Sequence, residues 1–179
     1  MSDSRTDNDL VAAANAGDAS ALEALYLRHR DWVIGLAWRF TADREIALDV
    51  CQETFTYLLG KFPGFRLTAA MTTFLYPVVR NIAIRQREKR DRHVLSEQAI
   101  LAAPSRDMAH HNPRQELAEF VAGLPPDAAE TLLMRFADGM QLDEIAHALD
   151  CPVGTIKSRL HRTLSALRKN PKTRKYFAR

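Results

Sequence analysis

The sequence has few of the features that mark disulfide-bonded, zinc-binding or membrane-spanning proteins. It contains two cysteines in 179 residues, and because Cys51 and Cys151 lie far apart without a CxxC spacing, neither a disulfide framework nor a zinc site is indicated. No apolar run approaches the roughly 20 residues that span a bilayer, and the polar N-terminus does not resemble a signal peptide. We therefore expect a cytoplasmic protein without membrane insertion, metal or other cofactor.

Acidic residues are missing from the C-terminal part of the chain. The formal net charge is only +3, yet the segment from Gly154 onward has nine Lys and Arg residues and neither Asp nor Glu. A second basic run lies between Arg80 and Arg92. One basic run alone would suggest a solvated surface. Two basic runs favour a polyanionic partner such as nucleic acid, since one of them lies on the motif described below.

Strand-like alternation is also absent, and helical periodicity dominates the chain. Glycine and proline breaks separate the helices into two groups. We predict an all-α fold of two small helical bundles, 9–92 and 114–170, joined by a linker at 93–113 and followed by a basic tail at 171–179. Helices are predicted at about 10–16, 20–40, 43–62, 69–90, 114–123, 127–137, 142–149 and 154–169.

The pattern from Gln141 to Arg162 is typical of a helix-turn-helix, the motif that places its second helix in the major groove of DNA. The apolar stripe of that second helix is expected to bury Val153, Ile156, Leu160, Leu164 and Leu167. Six polar residues stay outside the stripe: Thr155, Lys157, Ser158, Arg159, His161 and Arg162. Of these, Lys157 and His161 suit phosphates, and the other four suit base edges. A helical hairpin with a solvated basic face is the less favoured alternative.

The predicted helix 43–62 has one apolar face and one face of acid and amide groups. The apolar positions are Leu48, Cys51, Phe55, Leu58, Leu59 and Phe62. Asp49, Gln52 and Glu53 lie on the other face, where carboxylates suit the Arg and Lys side chains of a basic protein groove. An ordinary solvated face fits this pattern equally well. An enzymatic role for Asp49 and Glu53 is not expected, because no histidine joins them on this helix.

Aromatic and basic residues are interleaved between Phe62 and Arg92, and proteins bind single-stranded nucleic acid with such a mixture. Aromatic rings at helical spacing are usually core residues, and we assign Phe74 to the core on that ground. Phe65 and Arg66 lie in the Gly-Pro break before the helix, where both are candidates for binding nucleic acid.

Together these segments resemble the sigma-70 family of RNA polymerase promoter-specificity subunits, in its extracytoplasmic-function (ECF) class. Asp49-Val-Cys-Gln52-Glu53-Thr-Phe55 is similar to the D-x-x-Q-E-x-F motif of region 2, and Thr73-Phe-Leu-Tyr76 with Val78-Val-Arg80-Asn81 resembles the later T-W-L-Y-x-I-A-R-N segment. Leu124-Pro125, Asp143-Glu-Ile-Ala146 and Gly154-Thr-Ile-Lys-Ser-Arg-Leu160 resemble region 4. The likeness covers roughly residues 9 to 170, and the order and spacing of the motifs make it specific.

The resemblance implies a role for each surface. Asp49, Gln52 and Glu53 would dock on the clamp helices of the polymerase β′ subunit, and the second helix of the helix-turn-helix would read the −35 element as duplex DNA. The segment before and within the region 2 helix would capture the melted non-template strand of the −10 element. Its candidate contacts are Phe65, Arg66, Arg80, Asn81 and Arg85. The implied partners are core polymerase (β′ clamp helices and β flap), promoter DNA and an anti-sigma protein, and the free chain is expected to be monomeric.

The sequence departs from the family pattern at three positions of region 2. Phe74 stands where the family usually has Trp, Pro77 interrupts the helix, and Arg85 takes a place that is often Asp. These changes bear on −10 recognition and strand opening more than on polymerase binding.

Three other interpretations stay open from the sequence. The chain could be a stand-alone helix-turn-helix regulator, which would usually dimerise on duplex DNA without joining the polymerase. It could be an interaction protein that kept the sigma shape and lost promoter opening. A hydrolase or nuclease using Asp49 and Glu53 is the third, and divalent-metal-dependent turnover would be its signature.

Overall fold

A computed structural model of the chain describes residues 3–97 and 120–174. Within these ranges the regular structure is entirely helical, and the chain divides into two compact units, the first ending at Ala102 and the second beginning at Ala103. The predicted all-α fold of two helical bundles is confirmed. The predicted linker from residue 98 onward, the start of the helix predicted at 114–123 and the end of the tail from residue 175 lie outside the described residues.

The first unit is built around one long central helix. Its helices are α1 (Asp7–Asn15), α2 (Ala19–Thr41), α3 (Arg44–Leu59) and α4 (Met71–Glu97). α2 packs against the other three, because buried residues recur along it at helical spacing. These are Ala21, Leu25, His29, Val33, Leu36, Ala37 and Thr41. α4 contains Pro77 and continues to Glu97, beyond the predicted end of the bundle at residue 92.

Polar caps determine where the helices of the first unit begin. The Asp18 carboxylate accepts a hydrogen bond from the amide of Ser20 and starts α2, and Asp43 starts α3 in the same way. Thr6 and Asp9 form a reciprocal capping box, in which each side chain satisfies a backbone amide at the start of α1. This cap moves the start of α1 to Asp7, ahead of the start predicted at residue 10.

The second unit contains the helix-turn-helix. Its helices are α5 (Pro126–Phe136), α6 (Leu142–Ala148), α7 (Val153–Lys169) and the short α8 (Pro171–Arg174). α5 and α6 both pack against α7, which buries Ile156, Leu160, Thr163 and Leu167. The prediction that Val153 is buried is wrong: it is the first residue of α7 and is 37% exposed.

A sharp reversal separates α6 from α7. Asp150 adopts a left-handed backbone conformation with φ of 48°, and the amide of Cys151 donates a 3.0 Å hydrogen bond to the carbonyl of Ala146. Pro152 is the N-cap residue of α7, with φ of −60° and ψ of 143°. The reversal holds α7 against α6 and leaves one side of α7 exposed.

Candidate functional site

The acid and amide residues predicted for polymerase docking lie on one side of α3. Asp49 and Gln52 are exposed, and Glu53 is partly exposed. Leu48 and Leu59 were predicted to be part of the apolar face, and this is wrong, since they are 44% and 49% exposed. α3 instead buries Ala47, Val50, Cys51, Thr54, Phe55 and Leu58. These residues form the stripe that meets both α2 and α4, so the buried face is rotated away from Leu48 and Leu59.

Two residues of α4 bind the carboxylate of Glu53. The guanidinium of Arg85 and the side-chain amide of Gln86 each donate a hydrogen bond to it. The Arg85 side chain remains 66% exposed. The candidate docking residue and the candidate −10 residue are therefore paired with each other, beside an open groove of about 580 Å³ that Asp49 and Gln52 also line. Sequence reasoning missed Gln86, which lies 33 positions from Glu53.

Phe65 is a buried residue of the loop between α3 and α4. Only 8% of it is exposed, and its ring centroid lies 5.5 Å from that of Phe62 and 4.8 Å from that of Phe74. The assignment of Phe65 as a nucleic-acid contact is wrong for this structure, because the loop folds back over the start of α4 and covers the ring. Phe74, assigned to the core, is half-buried against Phe65. Arg66, the next residue in the loop, is exposed.

One side chain from α1 fastens this loop. Nδ2 of Asn15 donates a 2.8 Å hydrogen bond to the carbonyl of Phe65. Oδ1 of Asn15 accepts hydrogen bonds from the amides of Gly64, at 2.7 Å, and of Phe65, at 3.1 Å. Sequence reasoning missed Asn15, because a polar residue at the end of a short helix gives no signal of a partner 50 positions away.

The remaining −10 candidates lie on α4. Asn81 and Arg85 are one helical turn apart and both are exposed, so they share one side of the helix. Arg80 is half-buried. The first unit thus presents exposed cationic and amide groups on the helix that follows the loop of Arg66.

The six polar residues predicted for −35 recognition all lie on α7, outside its buried stripe. Lys157, Ser158, His161 and Arg162 are exposed. Thr155 and Arg159 are half-buried. Nε of Arg162 donates a 3.3 Å hydrogen bond to the carbonyl of Ser158 on the preceding turn. The exposed side of α7 is therefore a row of donors and cations with no acidic residue of its own helix near it.

An acidic residue of another helix contacts α7. Nη2 of Arg159 donates a 2.8 Å hydrogen bond to Oδ2 of Asp127, in the first turn of α5. The Arg159 side chain is 25% exposed and that of Asp127 67%. Asp127 is a residue that sequence reasoning missed, since the pair spans 32 positions.

The second unit also has an apolar groove on the side of α5 that carries Phe136. Phe136 is 63% exposed, an uncommon state for so large an apolar ring. The groove has a volume of about 360 Å³. Its lining residues are Val121, Leu132, Leu133, Phe136, Ala137, Leu164 and Leu167.

No helix within residues 3–97 and 120–174 is both long enough and apolar enough to cross a membrane.

Comparison with known proteins assigns each unit to a described domain. Residues 25–93 match Sigma-70 region 2, and residues 114–167 match Sigma-70, region 4. The chain is 30% identical over 178 residues to the RNA polymerase sigma-H factor of Pseudomonas aeruginosa, covering 91% of this chain and 92% of that protein. It is 30% identical over 182 residues to the ECF RNA polymerase sigma-E factor of Escherichia coli, covering 93% and 95%.

Solved structures show the same fold. The sigma factor RpoE of Bartonella quintana, in complex with the anti-sigma factor NepR, matches with a TM-score of 0.60 and 22% identity, over 82% of this chain and 94% of that one. CnrH, in complex with the cytosolic domain of CnrY, matches with a TM-score of 0.65 and 22% identity, over 90% and 96%.

A region 2 bundle followed by a region 4 helix-turn-helix defines a transcription-initiation protein that acts through DNA and RNA polymerase. The chain belongs to the sigma-70 family of RNA polymerase sigma factors, in its ECF class. It therefore directs RNA polymerase to promoters.

Proposed function

We propose that the first unit docks on the clamp helices of the polymerase β′ subunit through Asp49, Gln52 and Glu53. The support is their common exposure on one side of α3, where carboxylates suit the guanidinium and ammonium groups of a partner. The pair between Glu53 and Arg85 orients the Glu53 carboxylate at the edge of the groove. When a cation of the polymerase replaces Arg85 as the partner of Glu53, the Arg85 side chain can turn toward DNA.

The same unit captures the melted −10 strand with Arg66, Asn81 and Arg85. Arg66 and Arg85 supply the cations that follow a phosphate backbone, and the Asn81 amide both donates and accepts hydrogen bonds, as base recognition requires. Phe65 contributes by holding the loop that carries Arg66, and the half-buried Arg80 of α4 is a further candidate contact to the strand. This unit opens the promoter strands, and the polymerase catalyses the formation of phosphodiester bonds.

The second unit reads the −35 element with α7. The observation that carries this proposal is the division of α7 into a buried side, with Ile156 and Leu160, and an exposed side of donors and cations. In this proposal Ser158 and Arg162 contact base edges, and Thr155 and Arg159 assist them. Lys157 and His161 flank this row and suit phosphates.

The apolar groove beside Phe136 binds the β flap of core polymerase. An anti-sigma protein that covers this groove or the exposed side of α3 keeps the factor inactive. Support for the first point is the exposure of Phe136, since a large exposed apolar patch marks a protein interface. Support for the second is that RpoE of Bartonella quintana, which shares the fold, is seen with the anti-sigma factor NepR. The free protein is a cytoplasmic monomer.

Both units engage one promoter at once, so that each raises the effective concentration of the other at its own element. Weak contacts at the −35 and −10 elements then combine to give specific binding to a promoter that has both.

Run-off transcription with purified core polymerase on pooled genomic promoters tests the proposal. Discrete transcripts that need this protein, with start sites that share two upstream elements, are the expected result. Tight core binding without transcripts would instead identify an interaction protein that has lost promoter opening. Binding to duplex DNA without binding to core polymerase would identify a stand-alone regulator, and sedimentation of the free chain as a dimer would agree with that outcome.

A further inference from the structure

The loop between α3 and α4 is attached to α1 by a single side chain that makes three hydrogen bonds. Asn15 donates to the carbonyl of Phe65 and accepts from the amides of Gly64 and Phe65, all within 3.1 Å. These backbone groups belong to the two residues that directly precede the exposed Arg66. Asn15 therefore fixes the backbone at the point where Arg66 leaves the loop.

The chemistry of this attachment requires an amide side chain. Asn carries an acceptor oxygen and a donor nitrogen on the same short stem, and the three groups it meets are one acceptor and two donors. Asp could accept from both amides but would turn a second oxygen toward the carbonyl of Phe65. Gly64 has a φ of 103°, a conformation that suits glycine alone, so the amide of Gly64 reaches Asn15 through a turn that other residues would strain.

The loop is held on its other side by aromatic packing. Phe65 lies between the rings of Phe62 and Phe74, so its ring faces the core while its backbone faces Asn15. Once both sides are held, the direction of the next residue is set. This arrangement turns a loop of ordinary length into a rigid support for Arg66.

We propose that Asn15 is a positioning residue for −10 strand capture, acting through the backbone of Gly64 and Phe65 on Arg66. The proposal rests on the proposed function of the loop. A rigid support lowers the entropy that a binding loop loses when it meets its ligand, so releasing the support weakens the strand contact without touching the strand. Contacts to polymerase on α3 and to the −35 duplex on α7 do not pass through Asn15.

The test uses holoenzyme assembled from core polymerase and the full chain, with fork-junction DNA whose −10 segment is single-stranded. The variants are Asn15→Ala, Arg66→Ala and the double variant. Asn8→Ala is the matched control, because it truncates an exposed Asn on the same helix. The measurements are affinity for the fork, affinity for a −35 duplex lacking the single strand, and affinity for core polymerase.

We expect Asn15→Ala to weaken fork binding roughly fivefold or more, as the loss of a partnered polar contact does, and to leave the other two affinities within about twofold. The double variant should bind the fork about as weakly as Arg66→Ala alone, because both changes act on one element. Asn8→Ala should match the parent protein.

Each contrary result has one meaning. If Arg66→Ala leaves fork binding unchanged, the proposed role of the loop is wrong. If Arg66→Ala weakens fork binding but Asn15→Ala behaves like Asn8→Ala, or if the two losses simply multiply, the positioning role of Asn15 is refuted. Should Asn15→Ala fail to fold, judged by tryptophan fluorescence in urea, Asn15→Asp replaces it with Asn8→Asp as its control. The acid retains the acceptor for both amides and loses the donor to the carbonyl of Phe65. Weaker fork binding than in the Asn8→Asp control is then expected, and equal binding would refute the proposal.

Discussion

The carboxylate of Asp127 accepts a 2.8 Å hydrogen bond from Nη2 of Arg159, and this pair joins the first turn of α5 to the helix that carries the candidate −35 contacts. An acid beside a DNA-reading surface repels phosphates. Since Asp127 is 67% exposed, the pair stabilises the fold by no more than about 1 kcal/mol.

Asp127→Ala should therefore tighten binding to −35 duplex DNA while the second unit keeps its stability. Loss of the carboxylate releases the Arg159 guanidinium and removes a negative charge near the phosphates, so we expect roughly two- to fivefold higher affinity and a steeper salt dependence. Titration of labelled duplex at several salt concentrations measures both. Asp143→Ala removes an equal charge without touching Arg159, and an identical gain in that variant would contradict the role of the pair.

Arg162→Ala should weaken binding to the −35 duplex by about 1–3 kcal/mol if the side chain makes a bidentate base contact. The side chain is exposed, and its hydrogen bond to the carbonyl of Ser158 lies within α7 itself, so removing it should leave the packing of α7 against α5 and α6 intact. Competition with duplexes altered at one base pair at a time locates the contact. Equal binding of parent and variant to every duplex would remove Arg162 from the recognition surface.

Asp49→Lys should impair binding to core polymerase and leave the fold intact. Asp49 is exposed on α3, where substitutions usually change stability by less than about 0.5 kcal/mol. Co-purification with tagged core polymerase measures the loss. Glu23→Lys, which reverses an exposed charge on α2, should retain binding, and equal retention by both variants would show that α3 is not the docking face.

Phe65→Ala should destabilise the first unit by about 3 kcal/mol, because it removes a buried ring from a cluster of three. The two tryptophans of the chain, Trp32 and Trp38, both lie in α2, so tryptophan fluorescence in urea reports this unit alone. Leu59→Ala, at a position 49% exposed, should cost less than about 1 kcal/mol. Similar costs for the two variants would mean that the Phe65 ring is solvated.

The start of α1 should lose stability in acid. The hydroxyl of Thr6, followed by its backbone amide, lowers the pKa of Asp9, and the Arg5 guanidinium lowers the pKa of Asp3 to about 2. Carboxyls with depressed pKa values stabilise the fold above their unfolded value, near 4, and this contribution is lost as the pH falls through the folded value.

Thr6→Ala tests this dependence. The variant loses the main cause of the lowered pKa of Asp9, so the stability gap from the parent should narrow as the pH falls from 5 to 2. Urea unfolding followed by tryptophan fluorescence at several pH values measures the gap. Ser4→Ala, which removes a neighbouring exposed hydroxyl, should show no such narrowing, and a constant gap for Thr6→Ala would contradict the coupling.

Helical periodicity was sufficient to predict the fold class and the helix-turn-helix, because a buried stripe repeats along one helix and depends on neighbours in the chain. Ile156, Leu160 and Leu167 were located correctly in this way. Leu48 and Leu59 were not, because an amphipathic pattern does not reveal the direction from which α2 and α4 approach α3.

The site was less accessible to sequence reasoning than the fold. Asp49, Gln52 and Glu53 could be grouped because they share one helix, but their cross-helix partners could not. Asn15 and Asp127 act on segments 32 to 50 positions away, and only the packed structure brings them there. Phe65 illustrates the converse case: its position in a Gly-Pro break suggested exposure, and tertiary packing covered the ring.

The described helices of each unit pack into a core of that unit. On the proposed function, each of the two promoter elements is bound by a unit that has its own core. A hybrid chain that takes residues 1–97 from this protein and its region 4 from a relative should inherit the −35 preference of the donor with the −10 preference unaltered. Promoter specificity of this kind can therefore change by recombination between genes, because each exchanged segment brings its own core with it.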